Sequence, residues 1–322
     1  ACTGRQGFED AVEMARLAAD AVGSPEEMML VSSTGTIGRR LPMQRVARGI
    51  ELAKAALSCD GGSDAAKAIM TTDTVPKEAA LKVRIGGSDV TIGGMCKGAG
   101  MIYPNLATML CYITTDAEIN ADDLHEALKV AVNKSFNRIS VDGDQSTNDT
   151  LVVLASGASG GRVPTPPHSD YDVFVDALSA VAKALATKIV EDGEGATKFV
   201  TVAVEGAVSD EDALMVARAV ANSALFKTAC FGADPNWGRV ICAAGYSGAE
   251  IDEMKAEIFF DDICVYDKGD IADEHAQGKL AEVMKQRAFT VTIKLNLGTG
   301  SDCVYTSDFS LDYVKINSEY TT

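Results

Sequence analysis

The residues best placed for chemistry lie around the junction between Ala107 and Thr108. A glycine-rich approach leads into a turn at Pro104-Asn105, and the apolar run over residues 109–113 predicts a buried strand. Thr108 therefore stands at the mouth of a strand, where its hydroxyl is both held and open to a substrate. Nucleophiles of the N-terminal threonine kind are found at such positions. Our hypothesis is that the chain cleaves itself before Thr108 and then uses the released threonine.

Other candidate sites are weaker. Residues 157–161 (GASGG) match the nucleophile elbow, but a proline-rich segment follows Ser159 where the elbow requires a helix. The polar run 142–150 resembles a calcium loop without its glycine and terminal glutamate. The 3 histidines are scattered and the 8 cysteines form no CxxC pair. We therefore expect reduced thiols and no metal site.

Charge and hydropathy restrict the partners. The 322-residue chain carries 29 basic and 46 acidic residues, a net charge of -17. Nucleic acids and anionic membranes would repel such a surface, so neither is expected as a partner. No apolar run reaches the roughly 18 residues that a membrane span needs, and no secretion signal is present at the start of the sequence. We expect a cytoplasmic location.

The elements that must position Thr108 alternate between helices and strands. Asn120 and Ser209 are typical helix caps, Gly86-Gly87 indicates a hairpin, and residues 71–76 are typical of an exposed turn. Helices are predicted over residues 8–22, 42–57, 121–136, 171–190, 209–225 and 274–286, and strands over residues 28–33, 81–85, 90–92, 109–113, 138–141, 151–156, 199–204, 257–260, 265–266, 289–297 and 303–307. This interleaving predicts an α/β protein with mixed sheets.

Seven segments, taken together and in order, resemble the ArgJ family of ornithine acetyltransferases, also called bifunctional glutamate N-acetyltransferases. They are ACTG at the start, MTTDTVPK, KGAGMIYPNLATML, NRISVDGDQSTNDT, EDGEGATK, GADPNWGR and INSEYTT at the end. The resemblance covers the whole chain. It implies a DmpA/ArgJ-like fold, in which mixed sheets are layered with helices, and an enzyme of the self-cleaving N-terminal nucleophile type.

The resemblance also implies how the chain is divided. Members of the family cleave themselves between alanine and threonine into α and β chains that stay together. Residues 1–107 would form the C-terminal part of the α chain, whose upstream segment is missing here, and residues 108–322 would form the β chain. The assembly implied is an α2β2 heterotetramer.

The family's residue roles carry over by the same resemblance. Thr108 would be the nucleophile, and Thr3 and Gly4 would stabilise the oxyanion. The substrate contacts would be Thr74, Lys97, Thr108, Glu194, Asn317 and Thr322. An ammonium at Lys97 and a carboxylate at Glu194 suit the two ends of an amino-acid ligand.

The reaction implied is ping-pong transfer of an acetyl group from N-acetylornithine to glutamate in arginine biosynthesis. Acetyl-CoA is a second candidate donor, used as a substrate, and no cofactor is expected. Two alternatives stay open from the sequence. One is an amidohydrolase or aminopeptidase of the related self-cleaving β-aminopeptidase group, and the other is an inactive fragment.

Overall fold

Helices and strands alternate along the chain, and the strands assemble into two mixed sheets. The computed structural model describes residues 1–103, 109–272 and 277–319. In the first sheet the spatial order is β1 (Lys77–Ile85), β2 (Ser88–Lys97), β3 (Leu110–Thr115) and β5 (Thr150–Ala155). In the second it is β4 (Ile139–Ser140), β11 (Gly300–Ser307), β6 (Phe199–Ala207), β10 (Ala288–Lys294), β7 (Glu257–Phe260), β8 (Ile263–Asp267) and β9 (Asp270–Ile271).

Both sheets combine parallel and antiparallel pairs. Strand β3 is antiparallel to β2 and parallel to β5, and β6 is antiparallel to β11 and parallel to β10. The helices are α1 (Gly4–Val22), α2 (Met43–Ala55), α3 (Gly62–Ala68), α4 (Ala121–Asn133), α5 (Ser169–Glu191), α6 (Asp210–Ala221), α7 (Ala224–Phe231), α8 (Trp237–Gly245), α9 (Gln277–Lys285) and α10 (Leu311–Glu319). The predicted α/β class with mixed sheets is confirmed.

Helix α5 joins the two halves of the molecule. Its apolar residues extend around most of the helix, and Phe174, Leu178 and Leu185 are fully buried, as expected for a helix inside a core. It packs on β1 and β2 of the first sheet and also contacts β11 of the second. A second core forms around β6, β10 and helices α6 to α8. Because α5 is fixed on both sides, the chain that leaves its C-terminus at Asp192 is also fixed.

The hairpin between β1 and β2 sets the position of Lys97. Gly86 and Gly87 have φ values of 57° and 80°, and a two-residue turn with two positive φ angles matches the right-handed twist of the strands. Ile85 pairs with Ser88, so the register is fixed from the turn. At the far end of the hairpin Lys97 pairs with Leu110, the first residue of β3. The predicted hairpin is therefore confirmed, and it places Lys97 beside the start of β3.

Two predicted elements differ from the structure. The strand predicted over residues 28–33 is absent from the described chain, because this extended segment pairs with no strand; its Ser32 hydroxyl instead contacts the Tyr112 hydroxyl. The helix predicted from Ser209 to Leu225 ends at Ala221. Asn222 donates its side-chain amide to the Arg218 carbonyl at 2.8 Å, and Ser223 caps a new helix, α7. Short polar side chains interrupt the helix there although the apolar period continues.

Among the described residues no single helix is long and apolar enough to cross a membrane. Helices α6 and α7 reach the necessary length and hydropathy only as a pair, which is bent by 59°.

Candidate active site

Three of the predicted substrate contacts meet in one cavity. Lys97, Glu194 and Asn317 line a cavity of about 790 Å³, including its solvent-filled mouth. They reach it from the end of β2, from the segment after α5 and from α10. The other described walls come from residues 34–37, 71–72, 99–101 and 142–147, and from Tyr313. These three residues, which span 220 positions along the chain, thus line one cavity.

Lys97 supplies the positive charge of the cavity. Its side chain is buried, with 3% of the residue exposed. Burial lowers the pKa of the Lys97 ammonium, and nearby Lys77 acts in the same direction, whereas Asp73 and Glu194 oppose this shift. An ammonium with little water around it interacts strongly with a ligand carboxylate. Lys97 can therefore hold the carboxylate end of an amino acid.

Glu194 is fixed by both its backbone and its side chain. Its amide donates to the Ala99 carbonyl at 2.8 Å, and its Oε2 accepts a hydrogen bond from Asn317 Nδ2 at 3.0 Å. Gly100 lies directly beneath the carboxylate, since a Cβ at that position would stand 2.6 Å from the Glu194 Cδ. A side chain at residue 100 would therefore displace the Glu194 carboxylate, which is consistent with a glycine at this position of the KGAG segment.

Asn317 belongs to an ordered helix. Its Nδ2 also donates to the Tyr313 carbonyl at 3.1 Å, one turn earlier in α10. Tyr313 stacks on Phe309, with ring centroids 4.9 Å apart, and burial raises the pKa of its phenol well above the usual range. Through Tyr313 and Asn317, helix α10 thus forms one wall of the cavity. Thr322 lies outside the described residues.

Two acidic residues of the cavity have no role in the sequence-based prediction. Asp142 and Asp144 line it beside Glu194, so the charged residues among its described walls are one lysine and three acids. Asp142 accepts hydrogen bonds from the amides of Met101 at 2.6 Å and Ile102 at 2.9 Å, and burial raises the pKa of its carboxyl. The sequence signal for these two residues was the composition of the loop 142–150, which resembles a calcium loop. Its carboxylates instead hold backbone amides.

Thr74 does not line the cavity. It is exposed, its amide donates to Asp192 Oδ2 at 3.0 Å, and its hydroxyl also donates to the Asp192 carboxylate. Its neighbours Thr71 and Thr72 do line the cavity. Thr74 is thus connected to the site through Asp192, two residues before Glu194.

Thr3 and Gly4 lie at the start of α1. Thr3 lines a second cavity of about 650 Å³, and Thr34 and Gly35 line both this cavity and the one that contains Lys97. Gly4 is the first residue of the helix. The predicted oxyanion residues are therefore separated from the substrate contacts by the segment 34–35.

The predicted cleavage residues Ala107 and Thr108 lie outside the described residues, and the chain directly after them is anchored. The amide of Met109 donates to Asp149 Oδ1 at 2.8 Å, and the Met109 carbonyl accepts from the amide of Thr150 at 3.0 Å. Burial raises the pKa of the Asp149 carboxyl to about 6, although the Met109 amide acts to lower it. Sequence reasoning assigned no role to Asp149.

The described side chains contain no group of three or more His, Cys, Asp or Glu residues arranged to hold a metal ion. Trp237, for which a pocket wall and a core edge were equal alternatives, stacks on Tyr266 with ring centroids 4.9 Å apart and packs against the second core.

Comparisons with known proteins give one family. The model of the ArgJ family matches residues 1–322. The arginine biosynthesis bifunctional protein ArgJ of Symbiobacterium thermophilum is 51% identical over 323 residues, which cover 100% of this chain and 80% of that protein. The glutamate N-acetyltransferase of Methanocaldococcus jannaschii is 45% identical over 336 residues, which cover 100% of this chain and 81% of that protein.

A solved structure supports the same assignment. The crystal structure of the arginine biosynthesis bifunctional protein ArgJ from Bacillus halodurans matches with a TM-score of 0.63 and 41% identity, over 65% of this chain and 98% of that one. The predicted ArgJ-like fold is thereby confirmed. The chain belongs to the ArgJ family and is an acetyltransferase enzyme of arginine biosynthesis.

Proposed function

We propose that the chain transfers an acetyl group from N-acetylornithine to glutamate. The observation that carries the proposal is the cavity in which one buried ammonium, Lys97, lies among three acidic residues. N-acetylornithine has one carboxylate and one side-chain ammonium, so Lys97 would bind the first and Glu194 the second. Glutamate would place its α-carboxylate on Lys97 in the second half of the reaction.

The mechanism requires a nucleophile that carries the acetyl group between the two substrates. Thr108 Oγ attacks the acetyl carbonyl carbon, the amide nitrogen takes a proton and leaves as ornithine, and an acetyl-threonine ester remains. The amine of glutamate then attacks the ester and regenerates Thr108. The α-amine of Thr108, with a pKa near ~8, would act as the base.

Thr3 and Gly4 are proposed to stabilise the negatively charged oxygen in both halves of the reaction. Such an oxyanion needs hydrogen-bond donors placed in advance, and a hydroxyl and a backbone amide are suitable donors. The shared wall at Thr34 and Gly35 brings their cavity next to that of Lys97, which supports this assignment.

Self-cleavage would release the α-amine of Thr108. The Thr108 hydroxyl would attack the Ala107 carbonyl carbon, so that the peptide bond is replaced by an ester, and water would hydrolyse this ester. Residues 1–107 and 108–322 would then be the α and β chains of an α2β2 assembly. The coverage of the solved relative supports this division. That chain matches over 98% of its length and 65% of this one, about 209 of the 322 residues, and the proposed β chain has 215.

Two further features complete the proposal. Acetyl-CoA would serve as a second acetyl donor, which is consistent with the word bifunctional in the relatives' names. The enzyme would work in the cytoplasm without a resident cofactor.

The decisive experiment follows a labelled acetyl group. Incubation with N-acetylornithine carrying a ¹³C-acetyl group should yield labelled N-acetylglutamate only when glutamate is present. Mass spectrometry of the protein should show two fragments that meet at Ala107 and Thr108, and Thr108→Ala should remain intact and inactive. Labelled free acetate without labelled N-acetylglutamate would overturn the proposal and favour the hydrolase.

A further inference from the structure

Beneath the cavity lies a cluster of buried charges, which we call the buried triad: Asp73, Lys77 and Asp192. Lys77 Nζ stands 2.6 Å from Asp73 Oδ1 and 2.5 Å from Asp192 Oδ2. The exposed fractions of the three side chains are 0%, 0% and 7%. The triad carries a net charge of −1 in the fully ionised state, in a region from which water is excluded.

The carboxylate of Asp73 fixes two walls of the cavity. Its Oδ1 accepts from the amide of Gly98 at 2.7 Å, which is the peptide bond directly after Lys97. Its Oδ2 accepts from the amide of Thr71, a cavity residue, at 3.1 Å. Asp73 thus connects the backbone of Lys97 to a second wall by two hydrogen bonds to a charged acceptor, which are stronger than neutral ones.

Asp192 connects Thr74 to the segment that carries Glu194. It follows the last residue of α5, binds the amide and hydroxyl of Thr74, and precedes Glu194 by two positions. Lys77 Nζ pairs with Asp73 and Asp192 at the same time, so a change in one carboxylate alters the balance of charge at the other. The segments that carry Lys97 and Glu194 are therefore joined through one buried ammonium.

We infer that the buried triad positions the substrate-binding pair, Lys97 and Glu194, and sets the charge of Lys97. This inference rests on the proposed function, in which Lys97 binds the substrate carboxylate. A buried ion cluster is weak evidence of stability, since apolar residues of similar volume often hold a fold equally well. Apolar residues at these positions would, however, leave the Gly98 amide without its carboxylate acceptor and remove one of the two carboxylates that favour the charged form of Lys97.

The charges around Lys97 determine the direction in which each substitution should shift the pKa of Lys97. Asp73 and Glu194 favour the charged form of Lys97, and Lys77 disfavours it. Asp142 and Asp144 line the same cavity and add to the negative potential. Although burial raises the pKa of Asp73, its bonds to Gly98 and Lys77 lower it below the ordinary value, so its charge persists at neutral pH.

The test compares variants whose charge changes have opposite signs. Asp73→Asn removes a negative charge and should move the basic limb of the pH profile of kcat/KM to lower pH by about one unit, because Lys97 then loses its proton more easily. Lys77→Met removes a positive charge and should move the limb to higher pH. The double variant should return it close to the wild-type position.

Further variants separate positioning from folding. Lys77→Arg keeps the cation and should leave the limb in place, with KM for glutamate within about threefold of the wild type. Asp302→Asn removes a carboxylate from a partly buried ion pair outside the cavity, that of Arg138 and Asp302, and should not move the limb. Asp73→Asn and Lys77→Met should raise KM for glutamate about tenfold and change kcat less. If the basic limbs of Asp73→Asn and Lys77→Met move in the same direction, or if neither moves, the inference is wrong.

A second measurement does not depend on acetyl transfer. In protein labelled with ¹³Cε-lysine, the NMR signal of Lys97, assigned with Lys97→Arg, should titrate at lower pH in Asp73→Asn and at higher pH in Lys77→Met. If wild-type enzyme fails to acetylate glutamate but these titrations move apart, the proposed function is wrong and the charge coupling is correct. If acetyl transfer occurs and the titrations coincide with wild type, the triad does not set the charge of Lys97.

Discussion

Asp149 should make the protein less stable as its carboxyl ionises. Its pKa is raised from 3.8 to about 6 by burial. The contribution of Asp149 to the free energy of unfolding therefore falls as the pH rises from about 4 to about 6, because the unfolded chain releases the proton first, and this contribution is constant above that range. Asp149→Asn cannot ionise and should abolish this dependence.

The magnitude follows from the shift. A change from 3.8 to about 6 corresponds to about 3 kcal/mol at 1.36 kcal/mol per unit. Asp149 is only half-buried, so solvent screening reduces the expected effect to about 1 kcal/mol. The asparagine Oδ1 can still accept from the Met109 amide, which keeps the anchor of the chain after Thr108.

Urea unfolding between pH 4 and pH 8 measures the effect. Both proteins should carry Thr108→Ala, so that they have the same covalent chain. Asp149→Asn should match its parent near pH 4 and be about 1 kcal/mol more stable at pH 7, while Asp60→Asn, at an exposed position, should show no pH-dependent difference. A difference for Asp149→Asn that stays constant across the range would refute the reasoning.

Three further predictions concern the cavity, the second core and the net charge. Gly100→Ala should raise KM about tenfold because its Cβ would stand 2.6 Å from the Glu194 Cδ. As a control, Gly49→Ala on α2, where the new Cβ would meet no atom, should leave KM unchanged. An unchanged KM in Gly100→Ala would contradict the expected contact with Glu194. Burial lowers the pKa of Lys227 to about 8, so above pH 8 the unfolded chain binds more protons than the folded chain. The free energy of unfolding, measured with urea, should therefore rise from pH 8 to pH 10. Lys227→Met should not show this rise. Raising ionic strength from about 20 to about 150 mM should lower KM for anionic glutamate more than for N-acetylornithine, and equal effects would exclude repulsion by the net charge of -17.

Local signals in the sequence predicted the elements that depend on near neighbours. Asn120 was expected to cap a helix, and its Oδ1 accepts from the Asp123 amide at 2.9 Å. Ser209 does the same for Asp212 at 3.1 Å, and Gly86-Gly87 forms the expected hairpin turn. Each of these structures is decided within four residues, so residue type alone contains the needed information.

Contacts between distant segments decided the elements that were predicted wrongly. The apolar run at residues 28–33 has the composition of a strand but pairs with none of the strands. The segment 71–76 was expected to be exposed, yet Asp73 within it is buried, because Lys77 and the Gly98 amide bind its carboxylate. A carboxylate in a polar turn does not reveal a partner 25 residues away.

The residues of the site show the same difference between contacts with near neighbours and contacts with distant segments. Lys97, Glu194 and Asn317 were identified only because family motifs occur together, and taken singly each is an ordinary polar residue. In the sequence Gly100 is one residue of a glycine-rich approach, whereas in the structure a Cβ there would stand 2.6 Å from the Glu194 Cδ. Asp142 and the pairing of Lys77 with Asp192 escaped prediction because their contacts span 40 and 115 positions. Only the folded chain brings these groups together.

The contrast between surface and interior charge explains why composition alone would have misled about the ligand. A net charge of -17 opposes the approach of an anionic substrate. Surface repulsion is screened over about 8–10 Å at physiological salt, whereas a buried ammonium keeps most of its attraction inside the cavity. Lys97, with 3% of its surface exposed, thus outweighs distant acidic residues once a carboxylate has entered. Under the proposed function, the net charge of -17 disfavours polyanionic partners, and the buried Lys97 favours a small carboxylate ligand.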